Sequence, residues 1–366
     1  MTNTMTMNVN WNSRPGDTIV DLLEYRGLSI DDFAAAIELS LNKAEKLING
    51  EVEIDLQIAE KLADFFGSSS SFWMGREVRY RGNPARVVRN SLKSNQDWLD
   101  SLPVRDMIKF GWIKASRSRD ERLKACLDFF AVPSVPDWQE EYKNNLTAIA
   151  FRTSDTFENK IGPVSVWLRY GIIKAQEMSC KPWDRARLIS KIPELRALTS
   201  EKDPGVFIDE IQRICASCGV AVIVARAPSG CRASGATYFV DDARALILLS
   251  FRFKADDQFW FTFFHEIGHL ILHDKQALFV EDGSSVTSDE EEEANKFARN
   301  VLIPQELFNE MLSIKLDAKE ITNARRVMKF SKKINICPGV VVGQLQFHKI
   351  LPYNRLNKLK NRYEWQ

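Results

Sequence analysis

Histidine is scarce in this chain: there are four among 366 residues, and three of them stand at 265, 269 and 273. Other absences narrow the reading. No run of eighteen or more apolar residues occurs, which argues against a membrane-spanning helix. Lys and Arg number 50 against 49 Asp and Glu, a formal net charge of +1. A generally basic nucleic-acid coat is thereby excluded, and any DNA contact must come from a local patch. The six cysteines are scattered without a framework, as reduced thiols are. Cys215 and Cys218 fit Cys-x-x-Cys, but no second pair exists, and the segment leads through Gly219 into an apolar strand at 220–224. Packing thiols are the expectation. Residues 1–12 are polar and lack the apolar core of a signal peptide, so a cytoplasmic location is expected.

The three clustered histidines carry the chemistry. His265, Glu266 and His269 form His-Glu-x-x-His inside an apolar run of helical length. Histidines four apart lie one above the other on a helical face. Both imidazoles can then reach one Zn²⁺ at about 2.0–2.1 Å. Glu266 leaves an adjacent part of that face, where it can take a proton from an attacking water. The apolar run at 245–250 reads as a buried strand leading, past a charged turn, into the aromatic residues at 259–264 and the motif. An extended peptide is expected to lie along that strand. Tyr238 is a candidate for supporting the developing oxyanion, with a core tyrosine as the alternative.

A catalytic zinc usually keeps three protein ligands and one open position. His273 is eight residues from His265, about 12 Å along a straight helix, too far to share an ion with it; a core or supporting role is expected. The better source is the acidic segment at 288–298, whose charged start suits a helix N-terminus. Ala294, Phe297, Ala298, Val301 and Leu302 repeat there at helical spacing. Glu293 borders this stripe and is favoured as third ligand, because a carboxylate beside a buried face needs a partner. Glu290, Glu291 and Glu292 read as more readily solvated, and replacement of Glu293 by Glu290 or Glu292 stays open.

The zinc helix followed by Glu-Ala-Asn-Lys-Phe-Ala-Arg-Asn-Val-Leu-Ile-Pro at 293–304 resembles the ImmA/IrrE-type zinc metallopeptidases. The resemblance covers roughly 204–304. It implies a zincin-like α+β domain in which His265, His269 and Glu293 hold Zn²⁺ and Glu266 is the catalytic base. It further implies that the substrate is a regulatory protein, such as a repressor or antitoxin.

Near the N-terminus, apolar Ile19, Val20, Leu22 and Leu23 precede Gly27, a helix stop. Ser29 with Asp32 three residues on is close to a capping box. Phe33, Ala34 and Ile37 give the buried face of a short helix, and residues 41–48 a second one, ended by Asn49 and Gly50. Two short helices with a tight turn inside a small bundle describe a helix-turn-helix. The run from Arg14 to Trp73 resembles the XRE-type helix-turn-helix domain, particularly that of HigA-like antitoxins. Glu38 stands at the turn where glycine is usual, at a cost of about 1–2 kcal/mol if its backbone is left-handed. Asn42, Lys43 and Lys46 are the candidate DNA contacts on the second helix, while Glu45 opposes them and no arginine is present. A docking or dimerisation domain without DNA affinity is the alternative.

The fold expected is α+β and mostly helical. Its parts are a helix-turn-helix domain at 1–80, a helical middle at 81–202, a peptidase domain at 203–320 and a basic helical segment at 321–366. The expected function is a zinc-dependent endopeptidase tethered to a DNA-binding module. The alternative is a transcriptional regulator or antitoxin whose zinc domain senses a signal or binds a partner. DNA and a protein substrate are the expected partners, no membrane is involved, and a homodimer stays open.

Overall fold

Ser29, Ser40, Asp55 and Ser69 each accept, through the side chain, a backbone N–H at the start of a helix. These caps satisfy amides the helix cannot pair internally, and they punctuate the N-terminal unit into α1 (Pro15–Arg26), α2 (Ile30–Ala36), α3 (Leu41–Ile48), α4 (Leu56–Phe66) and α5 (Ser70–Arg81). Ser29 and Asp32 form the reciprocal capping box, and Gly27 ends α1 in the left-handed region. Ile19, Phe33, Ile37, Leu47, Leu62 and Trp73 fill the core between the helices. The α2–α3 pair is a helix-turn-helix, and its turn residue Glu38 does have positive φ, 54°. The Glu38 carboxylate meets Lys61 Nζ at 2.8 Å on the surface.

The computed structural model describes residues 13–82, 84–143, 161–273, 279–281, 288–314 and 320–365. The polar start, 1–12, lies outside them. The chain divides into two compact units, Met1–Gln96 and Asp97–Gln366, with α6 (Pro84–Ser101) running across the division. No helix among the described residues is long and apolar enough to cross a membrane.

The second unit is α+β. It contains α7 (Val104–Lys109), α8 (Arg119–Phe130), α9 (Val135–Trp138), α10 (Ile161–Glu177), α11 (Arg185–Ala197) and α12 (Pro204–Ala216). The strands are β1 (Val220–Val224), β2 (Gly235–Asp241) and β3 (Arg244–Leu249), followed by α13 (Asp256–Leu272) and β4 (Phe279–Glu281). Then come α14 (Asp289–Leu302), α15 (Gln305–Leu312), α16 (Glu320–Ile334) and α17 (Pro338–Phe347). The sheet is mixed, in the order β1-β3-β2-β4, with β1 parallel to β3 and the other pairs antiparallel.

Alternation along the strands feeds two cores. Val220, Val222, Ala245, Ile247 and Leu249 join Phe207, Trp260, Phe263 and Phe264 on the face covered by α12 and α13. Ala221, Leu246 and Leu248 face the opposite side with Val166 and Trp167 of α10. Gly171 permits that helix to approach, since a Cβ there would lie 2.8 Å from Leu248 Cδ2. Cys215 and Cys218 are fully buried in the first of these cores, and burial pushes the Cys215 thiol far up. They are packing residues, as their isolation in sequence predicts.

Two expectations about β2 and β3 are corrected. β3 is flanked by β1 and β2, so it has no free edge to receive a peptide. Tyr238 alternates with Thr237 and Phe239, and its neighbour across the ladder is Leu246 of the α10-side core. It therefore points away from the motif helix.

The segment after 320 packs into the same unit rather than standing apart. Lys360, in the basic C-terminal stretch, donates to Asp257 Oδ2 at 2.7 Å and to Gln346 Oε1 at 2.8 Å. Beyond α17 that stretch contains only the 3₁₀ turn Asn357–Leu359 as a helical element among the described residues.

Candidate metal centre

The motif helix α13 is apolar on nearly every side and buried along its length. His265 and His269 are 1% and 2% exposed, and Glu266 is fully buried. Gly268 lets α14 come close: a Cβ there would stand 3.1 Å from Ala294 Cα and 3.4 Å from Ala294 Cβ. Arg196 of α11 fixes the far end of α14. Its guanidinium donates to the carbonyls of Val301 (2.8 Å) and Leu302 (3.0 Å), and to that of Ile334 (2.9 Å) at the end of α16. These carbonyls lack intrahelical partners, so a cation there is well placed.

This packing delivers Glu291, from the first turn of α14, to the two histidines. Glu291 Oε2 lies 3.2 Å from His265 Nε2, Glu291 Oε1 lies 3.4 Å from His269 Nε2, and the two Nε2 atoms are 3.0 Å apart. Donor atoms around a tetrahedral zinc, with bonds of about 2.0–2.1 Å, are separated by about 3.3 Å. The three separations therefore fit one small divalent ion.

The other ring nitrogens support the same assignment. His265 Nδ1 is 3.2 Å from Asn295 Oδ1, so the ring carries its proton on Nδ1 and presents a lone pair at Nε2. His269 Nδ1 is 3.0 Å from His273 Nδ1, and His273 Nε2 is 3.2 Å from Glu293 Oε2. Donation from His269 to His273, and from His273 to Glu293, again leaves His269 Nε2 as a lone pair. Two lone pairs facing each other at 3.0 Å repel unless a cation lies between them, and partners that fix tautomer in this way are the usual surroundings of metal-bound histidine. Burial lowers the His269 pKa to about 4, favouring the neutral ring a metal requires. The Glu291 carboxyl faces both Nε2 atoms from a largely buried position, so as a carboxylate it too calls for a cation between the three groups.

The structure thus brings Glu291, rather than the expected Glu293, to the two histidines. Glu293 is attached to His273 and is 61% exposed, against 21% for Glu291. Helix geometry supplies the reason. At about 100° per residue, Glu291 shares a direction with Ala294, Ala298 and Leu302, the buried residues of α14, whereas Glu293 points roughly to the opposite side. Glu290 and Glu292 are not among the residues that converge. The signal was present in the sequence: the stripe Ala294, Ala298, Leu302 extends backwards to Glu291. His273 contacts His269 and Glu293 and is not among the three converging residues.

Glu266 lies against β2. Thr237 Oγ1 donates to Glu266 Oε2, and a Cβ on Gly235 would collide with Glu266 Oε1. A glycine at 235 and a hydroxyl at 237 therefore shape the seat of this carboxylate. Neither was singled out for that role from sequence. Phe279 of β4 stacks on His269, ring centroids 3.9 Å apart and planes at 16°, covering the ring on the side of the sheet's outer strand.

In the N-terminal unit, Asn42, Lys43, Glu45 and Lys46 are all exposed on α3, while Ala44 and Leu47 are buried. The structure thus puts the three candidate contacts, and the opposing Glu45, on the solvent face of the second helix of the helix-turn-helix.

Comparison with known proteins matches both regions. Residues 221–333 fit the family model Peptidase_M78, described as the IrrE N-terminal-like domain. That span contains all of the residues around the metal centre. The N-terminal region is similar to an uncharacterized HTH-type transcriptional regulator, YddM, of Escherichia coli strain K12, at 34% identity over 61 residues. The match spans 17% of this chain and 65% of that protein, a little under two thirds of its length. A solved structure of an addiction module antidote protein of a HigA family from Coxiella burnetii is matched at 23% identity. It covers 24% of this chain and 92% of that one, with a TM-score of 0.20.

Proposed function

We propose that this protein is a zinc-dependent metallo-endopeptidase carrying a DNA-binding helix-turn-helix module, and that it cleaves a regulatory protein such as a repressor or antitoxin. The observation that supports it most strongly is the convergence of His265, His269 and Glu291 with Glu266 on the same helix. The match of this region to Peptidase_M78 points the same way.

His265, His269 and Glu291 would hold the ion, which when bound supplies Lewis acidity toward a water and a scissile carbonyl. Glu266 takes the proton of the attacking water and passes it to the leaving amine, as general acid–base catalysis requires. The Thr237 hydroxyl fixes the rotation of that carboxylate, and Asn295 and His273 fix the two imidazoles. The sheet edge next to the site is that of β4, which is where an extended peptide would pair. Tethering to a DNA-binding unit raises the effective concentration of the peptidase near a DNA-bound target.

Glu266→Gln is the decisive variant. It should retain zinc and DNA binding while abolishing cleavage of the target protein; undiminished cleavage would sink the peptidase reading. Lys43→Ala with Lys46→Ala should weaken a gel shift on the protein's own promoter. Absence of any shift by the unmodified protein at low salt would reject the DNA contact.

A second reading draws on the similarity to a transcriptional regulator. In it the protein is a regulator or antitoxin whose zinc domain senses a signal or binds a partner. Glu266→Gln separates the two, since that reading predicts unchanged regulation in the variant.

A further inference from the structure

Residues of α14, α15 and α17 line a cavity of about 280 Å³. Its polar lining is rich in donors: Lys296, Arg299 and Asn300 from α14, and Gln344 and His348 from the end of α17. Ile303 and Phe308 supply an apolar wall, and no carboxylate is among the lining residues. The volume lies just under the roughly 300–1,000 Å³ of ordinary ligand pockets, a size for a small metabolite rather than a peptide or dinucleotide.

Several of these donors lack a use within the protein. The Arg299 guanidinium stands over the Phe347 ring, 5.3 Å from its centroid, and makes no hydrogen bond or ion pair among the described residues. Glu292 is the acid whose charge reaches it, and Glu292 is tied to Lys296 at 3.1 Å. His348 Nε2 is buried with no hydrogen-bond partner among the described residues. Its ring is held edge-on by Phe308 and Phe347, at 4.8 and 5.0 Å, so it cannot swing out without disturbing both. The side chains of Asn300 and Gln344 also have no partner among the described residues. A buried donor left unsatisfied costs free energy, and a half-buried guanidinium beside one is a strong attractor for an oxyanion.

We propose that this cavity is a binding site for a small phosphorylated metabolite, its phosphate held by Arg299, His348 and the Asn300 and Gln344 amides, and its remainder against Ile303 and Phe308. Burial and the charge of Arg299 lower the His348 pKa, and its unpartnered Nε2 can serve an oxyanion as a donor in the tautomer that carries the proton there. The site is separate from the metal centre. It nevertheless shares α14 with Glu291, so its occupancy would stiffen the helix that carries the third carboxylate. The proposal does not depend on the peptidase reading.

The test is isothermal titration of the full-length protein at constant ionic strength in chloride buffer. Inorganic phosphate and glycerol 3-phosphate are the probes, and glycerol is the uncharged control. Saturable binding of glycerol 3-phosphate, tighter than phosphate and absent for glycerol, is expected. Arg299→Gln should weaken it about tenfold or more, the value of one charge-assisted hydrogen bond, and Lys358→Gln, in the 3₁₀ turn Asn357–Leu359 and not among the lining residues, should leave it unchanged. Should Arg299→Gln not fold, His348→Phe with Gln344→Leu must give the same loss. Binding of phosphate alone, at equal strength in Arg299→Gln, would mean nonspecific ion association and overturn the proposal. So would no saturable heat for either anion.

Discussion

His273 Nδ1 lies 3.0 Å from His269 Nδ1, making the third histidine of the helix a prop for the second. The far nitrogen of His273 meets Glu293, so the four-residue spacing that stacks His265 on His269 is used once more, outward from the centre. Replacing His273 with Phe should therefore keep the fold and lower zinc affinity about tenfold, the usual value of such supporting partners. His273→Asn, which retains an acceptor, should lose less. Equal affinity in Phe and wild-type proteins, measured by competition with a chromophoric chelator, would contradict the relay.

Glu291 and Glu293 separate cleanly by the same measurement. Glu291→Gln removes a carboxylate that faces both Nε2 atoms and should cost about a hundredfold or more in zinc affinity, beyond the range of supporting partners. Glu293→Gln should cost about tenfold or less. The reverse order would restore Glu293 as the ligand.

Gly268 sets the separation of α13 and α14. Its missing Cβ leaves room for Ala294, so Gly268→Val should push α14 outward. Overpacking of this kind typically costs about 1–3 kcal/mol, and Glu291 moves with the helix. Thermal unfolding and zinc titration should both fall, with Gly268→Ala between valine and wild type. Unchanged zinc affinity in the valine variant would show that α14 is not held by this contact.

Asp256 provides a pH signature remote from the ion. It is fully buried at the start of α13, and burial raises its pKa from 3.8 to about 6. Because the folded value is raised, the native state prefers the protonated acid. Its stabilising contribution is complete below about pH 4 and disappears as pH rises through 6. Asp256→Asn should therefore raise the stability at pH 7.5 by about 1–3 kcal/mol, with the advantage shrinking towards pH 4. Chemical denaturation at both pH values checks it; a constant difference would show that the carboxyl does not titrate in this range.

Legibility in the sequence followed the locality of the physics. Ser29 with Asp32, and Gly27, are short-range devices, and each was readable because its partners lie within a few residues. The strand at 245–249 and the motif helix were readable from composition and period. Among four consecutive acids Glu291 is hard to pick out, because Phe297 and Val301 widen the apolar stripe beyond the buried residues Ala294, Ala298 and Leu302. The narrower line through Ala294 and Ala298 would have pointed to it. Thr237 and Gly235 carried no local signal, since their meaning comes from a helix some thirty positions away.

The chain alone determined that two histidines and an acid share one helical turn, because the rise and twist of an α-helix are independent of context. It also determined that a capped helix pair opens the protein. Which distant carboxylate reaches the imidazoles, that β3 is interior, and that Phe279 covers His269 were decided only when α14 and β4 packed. Those outcomes depend on how closely two backbones approach, at Gly268 and Gly235, and such distances belong to the folded core rather than to any segment of it.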